Sequence, residues 1–310
     1  MMALFSRRGA WLAAALLAAG GAQAADTPGA GAGLFVASDS EGFDTRRVAA
    51  DYLPAFDNRD ALGGLRLAAT RFSVGDWARD AQQLGAVYRR IDPASTDGTQ
   101  VTAGLSRQGG HDLFTLDAGY RTALGAGRSV ELFVNRDWVE TRRALDDGVS
   151  FTFAGAAFEQ AIGAQVTVVG VAGYQDFSDG NQRRHARAKL IVQPSLELGL
   201  TLQARYRWFA SDEDGGPRTY FNPARYHEAM LAIGWRKRHA GWMGSLTAGL
   251  GRQRVGADAQ TPTRLLEAAL ESPARGRQSL RLRAGLNKSA SFGGPDYTYR
   301  YAQAEWLVGF

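Results

Sequence analysis

The sequence contains no cysteine in 310 residues. Disulfide staples, thiolate metal sites and a lipid-modified cysteine behind a leader are all excluded. Long apolar runs are missing too. The one continuous stretch, Ala10 to Ala19, is far short of the roughly twenty residues a helix needs to cross a hydrocarbon core. Sustained helical periodicity is also absent. Only Arg264 to Ser272 (RLLEAALES) could pass for a short helix, and period two fits it as well, with Leu266, Ala268 and Leu270 opposing Leu265, Glu267, Ala269 and Glu271. Histidine is scarce. His111, His185, His227 and His239 fall in separate segments, and none stands in a recognisable order with a serine and an acid. No cofactor, metal or enzymatic activity is expected on this pattern.

What is present is alternation. The mean hydropathy of -0.25 looks soluble, but interleaving apolar and polar residues gives that value whenever a sheet has one oily and one wet face. The 38 Gly, 7 Trp, 10 Tyr and 15 Phe fit many tight turns and aromatic girdles. Formal charge is +5, and +3 once Arg7 and Arg8 are set aside. Arginines are dispersed through the strands, the longest basic run being Arg236 to His239. A nucleic-acid partner is therefore not expected.

Met1 to Ala24 reads as a secretory signal peptide: Arg7 and Arg8 are its positive region, and Ala22-Gln23-Ala24 its cleavage site. Residues 25–33 read as a flexible periplasmic lead-in, and 34–310 as one barrel domain.

The closing segment, Tyr299 to Phe310, shows the pattern most clearly. Ala302, Ala304, Trp306, Val308 and Phe310 share one face; Tyr301, Gln303, Glu305, Leu307 and Gly309 share the other. The ending resembles the C-terminal strand of bacterial outer-membrane barrels, which implies Phe310 as the element read by barrel-assembly machinery. Upstream, Leu198 to Trp208 alternates against Glu197, Arg205 and Arg207. Ala186 to Val192 alternates against Arg187 and Lys189, and Leu280 to Leu286 against Arg281 and Arg283. Arginine at every second residue cannot face a dry core. It can face enclosed water.

Turns divide the chain into about sixteen strands, or fourteen if Leu34 to Tyr52 lies outside the wall. Short connections are expected near Gly125 to Gly127, Gly163, Pro194-Ser195, Lys237 to Gly241 and Ser272 to Arg277. Longer ones are expected at Arg142 to Gly148, Ser178 to Gln182, Ser211 to Ala224, Arg254 to Thr263 and Lys288 to Thr298. That asymmetry predicts an all-β, antiparallel up-and-down transmembrane barrel in the outer membrane, wrapped in lipid. Its expected lumen lining is Arg187, Lys189, Arg205, Arg207, Arg281, Arg283 and Glu305, with Glu197, Glu267 and Glu271 in the same pattern. Two readings stay open for that set: a charged ring acting on permeating solutes, or a neutralising ladder that closes the barrel. Tyr301, Phe209 and Phe177 on the inner face could stack on sugar rings or fill a narrow lumen. Asp212 to Gly216 lacks the glutamate a calcium loop requires and reads as a solvated tip.

Two stretches, Tyr174 to Leu190 (YQDFSDGNQRRHARAKL) and Ser211 to Arg236 (SDEDGGPRTYFNPARYHEAMLAIGWR), resemble the C-terminal barrel of exopolysaccharide-export porins for cellulose and poly-N-acetylglucosamine. The matching residues are Asp179, Asn181 and Arg183 in one motif, and Tyr220, Phe221, Asn222 and Pro223 in the other. The resemblance implies a passive polysaccharide conduit in which these motifs order, and then gate, the outer loops. Such porins carry a tetratricopeptide region ahead of the barrel. This chain looks like a stand-alone version, which implies a separate periplasmic tetratricopeptide partner. The alternatives are a closed structural or interaction barrel, and an outer-membrane lipid-modifying enzyme, for which no serine–histidine cluster is seen.

Overall fold

The computed structural model describes residues 27–125, 127–212, 219–273, 277–291 and 294–310. The expected signal segment, Met1 to Ala24, and most of the acidic tip at Glu213 to Gly216 lie outside the described residues. The first eight strands are β1 (Gly29–Asp39), β2 (Asp44–Asn58), β3 (Ala61–Val74), β4 (Trp77–Ile91), β5 (Gly98–Gln108), β6 (His111–Gly125), β7 (Arg128–Trp138) and β8 (Ser150–Ile162). The rest are β9 (Val166–Phe177), β10 (Gln182–Ser195), β11 (Leu200–Ser211), β12 (Arg225–His239), β13 (Trp242–Val255), β14 (Thr261–Glu271), β15 (Gln278–Ser291) and β16 (Gly294–Gly309). Among the described residues one short helix, α1 (Arg142–Asp146), lies between β7 and β8.

Each strand pairs antiparallel with its chain neighbours, and β1 pairs with β16, so the sheet closes. Closure leaves no unpaired edge, which is what lets a sheet sit in hydrocarbon. The start of β1 and the end of β16 lie at one end, where Phe310 N donates to Pro28 O at 2.9 Å. That end is called the terminal end below, and the other the far end.

Ion pairs that skip strands identify the inner face. Arg89 on β4 reaches Glu305 on β16 at 3.4 Å, and Arg205 on β11 reaches Glu267 on β14 at 3.8 Å. Such pairs can close only through the interior. Following the register from them, Leu34, Val48, Leu67, Leu84, Leu202, Leu231 and Leu250 all point outward and are exposed, Leu231 to 72%. A continuous apolar belt of this extent is a membrane-facing surface, not a soluble one.

The structure corrects several sequence boundaries. Residues Gly29 to Gly33, expected as flexible lead-in, belong to β1. Their small side chains are a packing requirement: a Cβ on Gly29 would sit 2.7 Å from Phe56 Cγ, and one on Gly31 2.8 Å from Asp51 Oδ2. With β1 and β2 both in the wall, the strand count is sixteen. The loop expected at Lys288 to Thr298 is mostly strand, because β15 and β16 run on past the apolar belt, where alternation no longer needs an oily face. Pro194 and Ser195 lie in β10, and the turn follows at 196–199, closed by Gly199 at φ +67. Glu197 and Leu198 therefore precede β11 instead of opening it. The loop asymmetry is also weaker than expected: at the far end only 139–149 and 212–224 are long, while 75–76 and 109–110 are tight turns.

Inward-packed clusters sit inside the wall at both ends. At the terminal end β2 bulges between Tyr52 and Ala55 and again between Phe56 and Asn58. Pro54, which has no N–H for the ladder, lies within the first bulge. Leu53, Phe56, Leu62, Val87 and Leu307 pack together there. At the far end Leu145 of α1 packs with Phe72, Ala81, Leu113 and Trp138, drawing its loop into the mouth.

Candidate functional site in the lumen

The terminal-end constriction is ionic. The β2–β3 turn turns into the lumen, where Arg59 Nη1 donates to Ser272 O at 2.9 Å and Nη2 lies 3.5 Å from Glu271. Asp60 lies 3.3 Å from Arg281, which lies 3.5 Å from Glu305, which in turn meets Arg89. Arg66 clasps Asp51 with both Nε and Nη2 at 2.7 Å. The chain of pairs links β14 and β15 through the β2–β3 turn and β16 to β4, tying this arc of the wall together across the lumen. Bidentate and shared contacts of this kind are the stronger class of ion pair.

Above it the lumen is divided by charge. Asp117 on β6 and Glu131 and Asp137 on β7 form an acidic wall. Arg183, Arg187 and Lys189 on β10, with Arg205 and Arg207 on β11, form the basic one. Arg207 pairs with Glu228 at 2.6 Å and donates to Tyr226 Oη. Among the described residues Arg187, Lys189, Arg283 and Glu131 have no ion-pair partner.

Between the two walls runs a belt of rings. Centroids are 5.2 Å apart for Phe133–Phe153, 4.9 Å for Phe153–His185, 5.4 Å for His185–Phe209 and 4.7 Å for Phe209–Tyr226. Glycines make the room: a Cβ on Gly155 would meet Phe133 Cζ at 2.6 Å, and one on Gly173 would meet Phe153 Cε2 at 2.6 Å. Phe133, Phe153 and His185 form one side of a chamber of about 480 Å³ whose polar lining includes Asp117, Glu131, Asn135, Gln175 and Arg187, while Phe209 and Tyr226 are buried behind them. Ring faces beside carboxylates, amides and a guanidinium suit a polyhydroxylated ligand, which has apolar C–H faces and hydroxyl edges.

The far-end cover is the 139–149 segment. Thr141 caps α1 by accepting from Ala144 N at 3.3 Å, and Gln108 Nε2 donates to Leu145 O at 2.9 Å. Asp146 binds Arg79 and Trp77. Burial raises the Asp146 carboxyl pKa, but the Arg79 and Trp77 hydrogen bonds outweigh it and leave the pKa below the ordinary value. On the preceding turn Glu140 reaches Arg47 on β2. Burial in the mouth pushes the Glu140 carboxyl pKa up; Arg47 pulls it back, and Asp137 adds to the rise.

Beside the cover, the two motifs singled out in the sequence interlock. Asn181, fully buried, donates to Tyr220 Oη at 3.1 Å and Asn222 Oδ1 at 2.8 Å, while Tyr220 donates to Asp179. Arg183 donates to Phe221 O at 2.7 Å and lies over the Phe177 and Phe209 rings. Tyr220 stacks on Phe177 at 4.5 Å, and Pro223 is buried alongside. The β9–β10 turn and the β11–β12 connection are thus one unit.

The expected lining set all projects inward, but it is not one ring. Arg281 and Glu305 belong to the terminal constriction; Arg205 and Arg207 pair with Glu267 and Glu228; Arg187, Lys189 and Arg283 have no ion-pair partner among the described residues. Sequence reading missed Arg47, Arg59, Asp60, Asp117, Glu131 and Glu140. Asp117 and Glu131 sit at inward positions that period two would have flagged; Arg59, Asp60 and Glu140 lie in turns, where no periodicity assigns a face.

No protein-family model matches the chain, and no curated protein does. Among solved structures, a bacterial polysaccharide outer membrane secretin is similar at 13% identity and a TM-score of 0.66, over 91% of this chain and 98% of that one. At that identity the likeness establishes the fold. OccK5 (OpdH) and OccK8 (OprE) of Pseudomonas aeruginosa are also similar, at 8% and 10% identity and a TM-score of 0.44, each over 92% of this chain and 98% of theirs.

Proposed function

We propose that the protein is an outer-membrane conduit for a polysaccharide chain, here in a closed conformation, with the terminal end toward the periplasm. The observation that carries this reading is the run of rings Phe133, Phe153 and His185 set in a polar chamber between two non-covalent closures. Permeation is passive. Sugar faces exchange along neighbouring rings while carboxylates and amides exchange hydroxyl contacts, so no single site holds the chain tightly. The cover at 139–149 and the interlocked motifs close the outer mouth, and the Arg59–Arg281–Glu305 network closes the inner one. Opening requires both to swing aside. A tetratricopeptide partner delivering the glycan, and recognition of Phe310 during assembly, belong to the same proposal.

A second reading, a barrel closed for good and used for its surface loops, is favoured by the density of the terminal-end ion pairs. Planar-bilayer recording separates the two. The test protein lacks residues 142–147 and carries Arg59→Ala and Arg281→Ala, with a heat-modifiable gel shift to show that the barrel is folded. Conductance well above that of the unaltered chain, blocked by oligosaccharide, supports the conduit. A folded variant that stays silent sinks it.

A further inference from the structure

The outer rim at the far end carries a second feature, independent of the lumen. Arg225 on β12, Arg252 and Arg254 on β13 and Arg264 on β14 all lie on the outward face and are exposed. The register makes them one patch. Arg254 is directly opposite His227, two residues along the face from Arg225; Arg252 is opposite Pro262, two residues from Arg264. Neighbouring positions are about 5 Å apart across strands and about 7 Å along them. At four other points on this rim an outward cation is matched by an acid: Arg71 with Asp80, Arg107 with Asp112, Arg184 with Asp212 and Lys288 with Asp296, while Arg46 and Arg300, unpaired among the described residues, stand singly. Among the described residues the four arginines of the patch have no such partner. Asp258, on the adjoining turn, forms no ion pair with them.

Beneath the patch lies a shallow trough lined by Ala188, Ala204, Leu231 and Leu250. At its upper edge the Tyr206 hydroxyl and His227 Nδ1 hydrogen-bond at 2.8 Å. Four unmatched guanidiniums above an apolar trough are complementary to an anionic head on acyl chains. Guanidinium forks match phosphate oxygens in two-point contacts.

We propose that this face binds a phosphate-bearing membrane lipid, its phosphates on Arg225, Arg252, Arg254 and Arg264 and an acyl chain in the trough. The site rests on the belt lying in a bilayer, and not on what crosses the lumen. Lipid in this position would anchor β12–β14 at a fixed depth, next to the 212–224 connection.

Native mass spectrometry of the full chain in dodecyl maltoside tests it, with a bisphosphorylated acylated disaccharide, its dephosphorylated form, and inorganic phosphate as probes. The expected result is tight binding of the bisphosphorylated lipid, weakened about tenfold or more when all four arginines are changed to Gln. Changing the acid-matched Arg71 and Arg107 to Gln leaves binding unchanged. Equal binding of the dephosphorylated lipid, an equal loss on changing Arg71 and Arg107, or displacement by millimolar inorganic phosphate overturns the proposal. A chain that needs no detergent and binds neither lipid would instead overturn the membrane reading itself.

Discussion

Glu140 and Arg47 face each other across the far mouth of the barrel. Glu140 Oε1 accepts from Arg47 Nη2 at 3.2 Å, and its other oxygen accepts from Thr45 at 3.4 Å. One residue belongs to the cover segment and the other to β2, so the contact spans the lumen and closes it.

This pair makes closure depend on pH. Burial holds the Glu140 carboxyl pKa above its ordinary value of 4.5. An opened cover would return it to water and to that value. The closed state therefore binds the proton more tightly, and acidification favours closure. Bilayer conductance should fall as pH drops from neutrality toward 4.5. Glu140→Gln should conduct poorly and lose this dependence, because a neutral amide stands in for the protonated acid. Arg47→Ala, which leaves an ionised Glu140 in the mouth without its cation, should conduct more at neutral pH. Conductance that rises on acidification would contradict the argument.

The ring belt predicts sugar affinity. Phe153 touches both Phe133 and His185. Phe153→Ala should reduce oligosaccharide block of an opened pore about tenfold, a loss of about 1.4 kcal/mol. Block-rate analysis of single-channel current reads this directly. An unchanged block would mean the rings only fill space.

The interlocked motifs predict local stability. Asn181→Ala removes the buried amide that bridges Tyr220 and Asn222, leaving Asn222 Oδ1 with Arg183, at a cost of about 1–3 kcal/mol. Limited proteolysis should then cut the 212–224 connection faster while the barrel keeps its heat-modifiable shift. Cleavage at the unaltered rate would show that the interlock does not hold the connection.

The seam between β1 and β16 predicts a steric effect. Gly29→Val should destabilise the barrel by about 1–3 kcal/mol in urea unfolding, because the new side chain meets Phe56. A second change, Phe56→Ala, should recover part of the loss. Gly170→Ala, on the outer face with nothing within 4 Å, should be neutral.

The wall was legible because its signal is local. In Arg281–Arg283 and Leu280–Leu286, adjacent residues declare opposite faces, and the register follows. The ends of the lumen were not legible. Arg59 is fixed by Ser272, 213 residues away, and Glu140 by Arg47, 93 residues away. No pattern within a turn encodes such partners. Gly29 to Gly33 failed for a related reason: glycine reads as freedom in a sequence, yet here it is demanded by Phe56, Asp51 and Leu307. The candidate site was half visible. Its arginines lie in clean alternating strands, but the rings of Phe133 and Phe153 meet only through the register of the β7–β8 pair, across the long 139–149 segment.

Since the chain has no cysteine of its own, single cysteines report cleanly on which face meets lipid. Spin labels placed at Leu202, Leu231 and Leu250, and separately at Arg187, Arg205 and Arg283, are compared in reconstituted vesicles. The account predicts that the leucine positions are relaxed by dissolved oxygen and shielded from a water-soluble nickel chelate, and that the arginine positions show the reverse. Nickel access to both sets alike would contradict it.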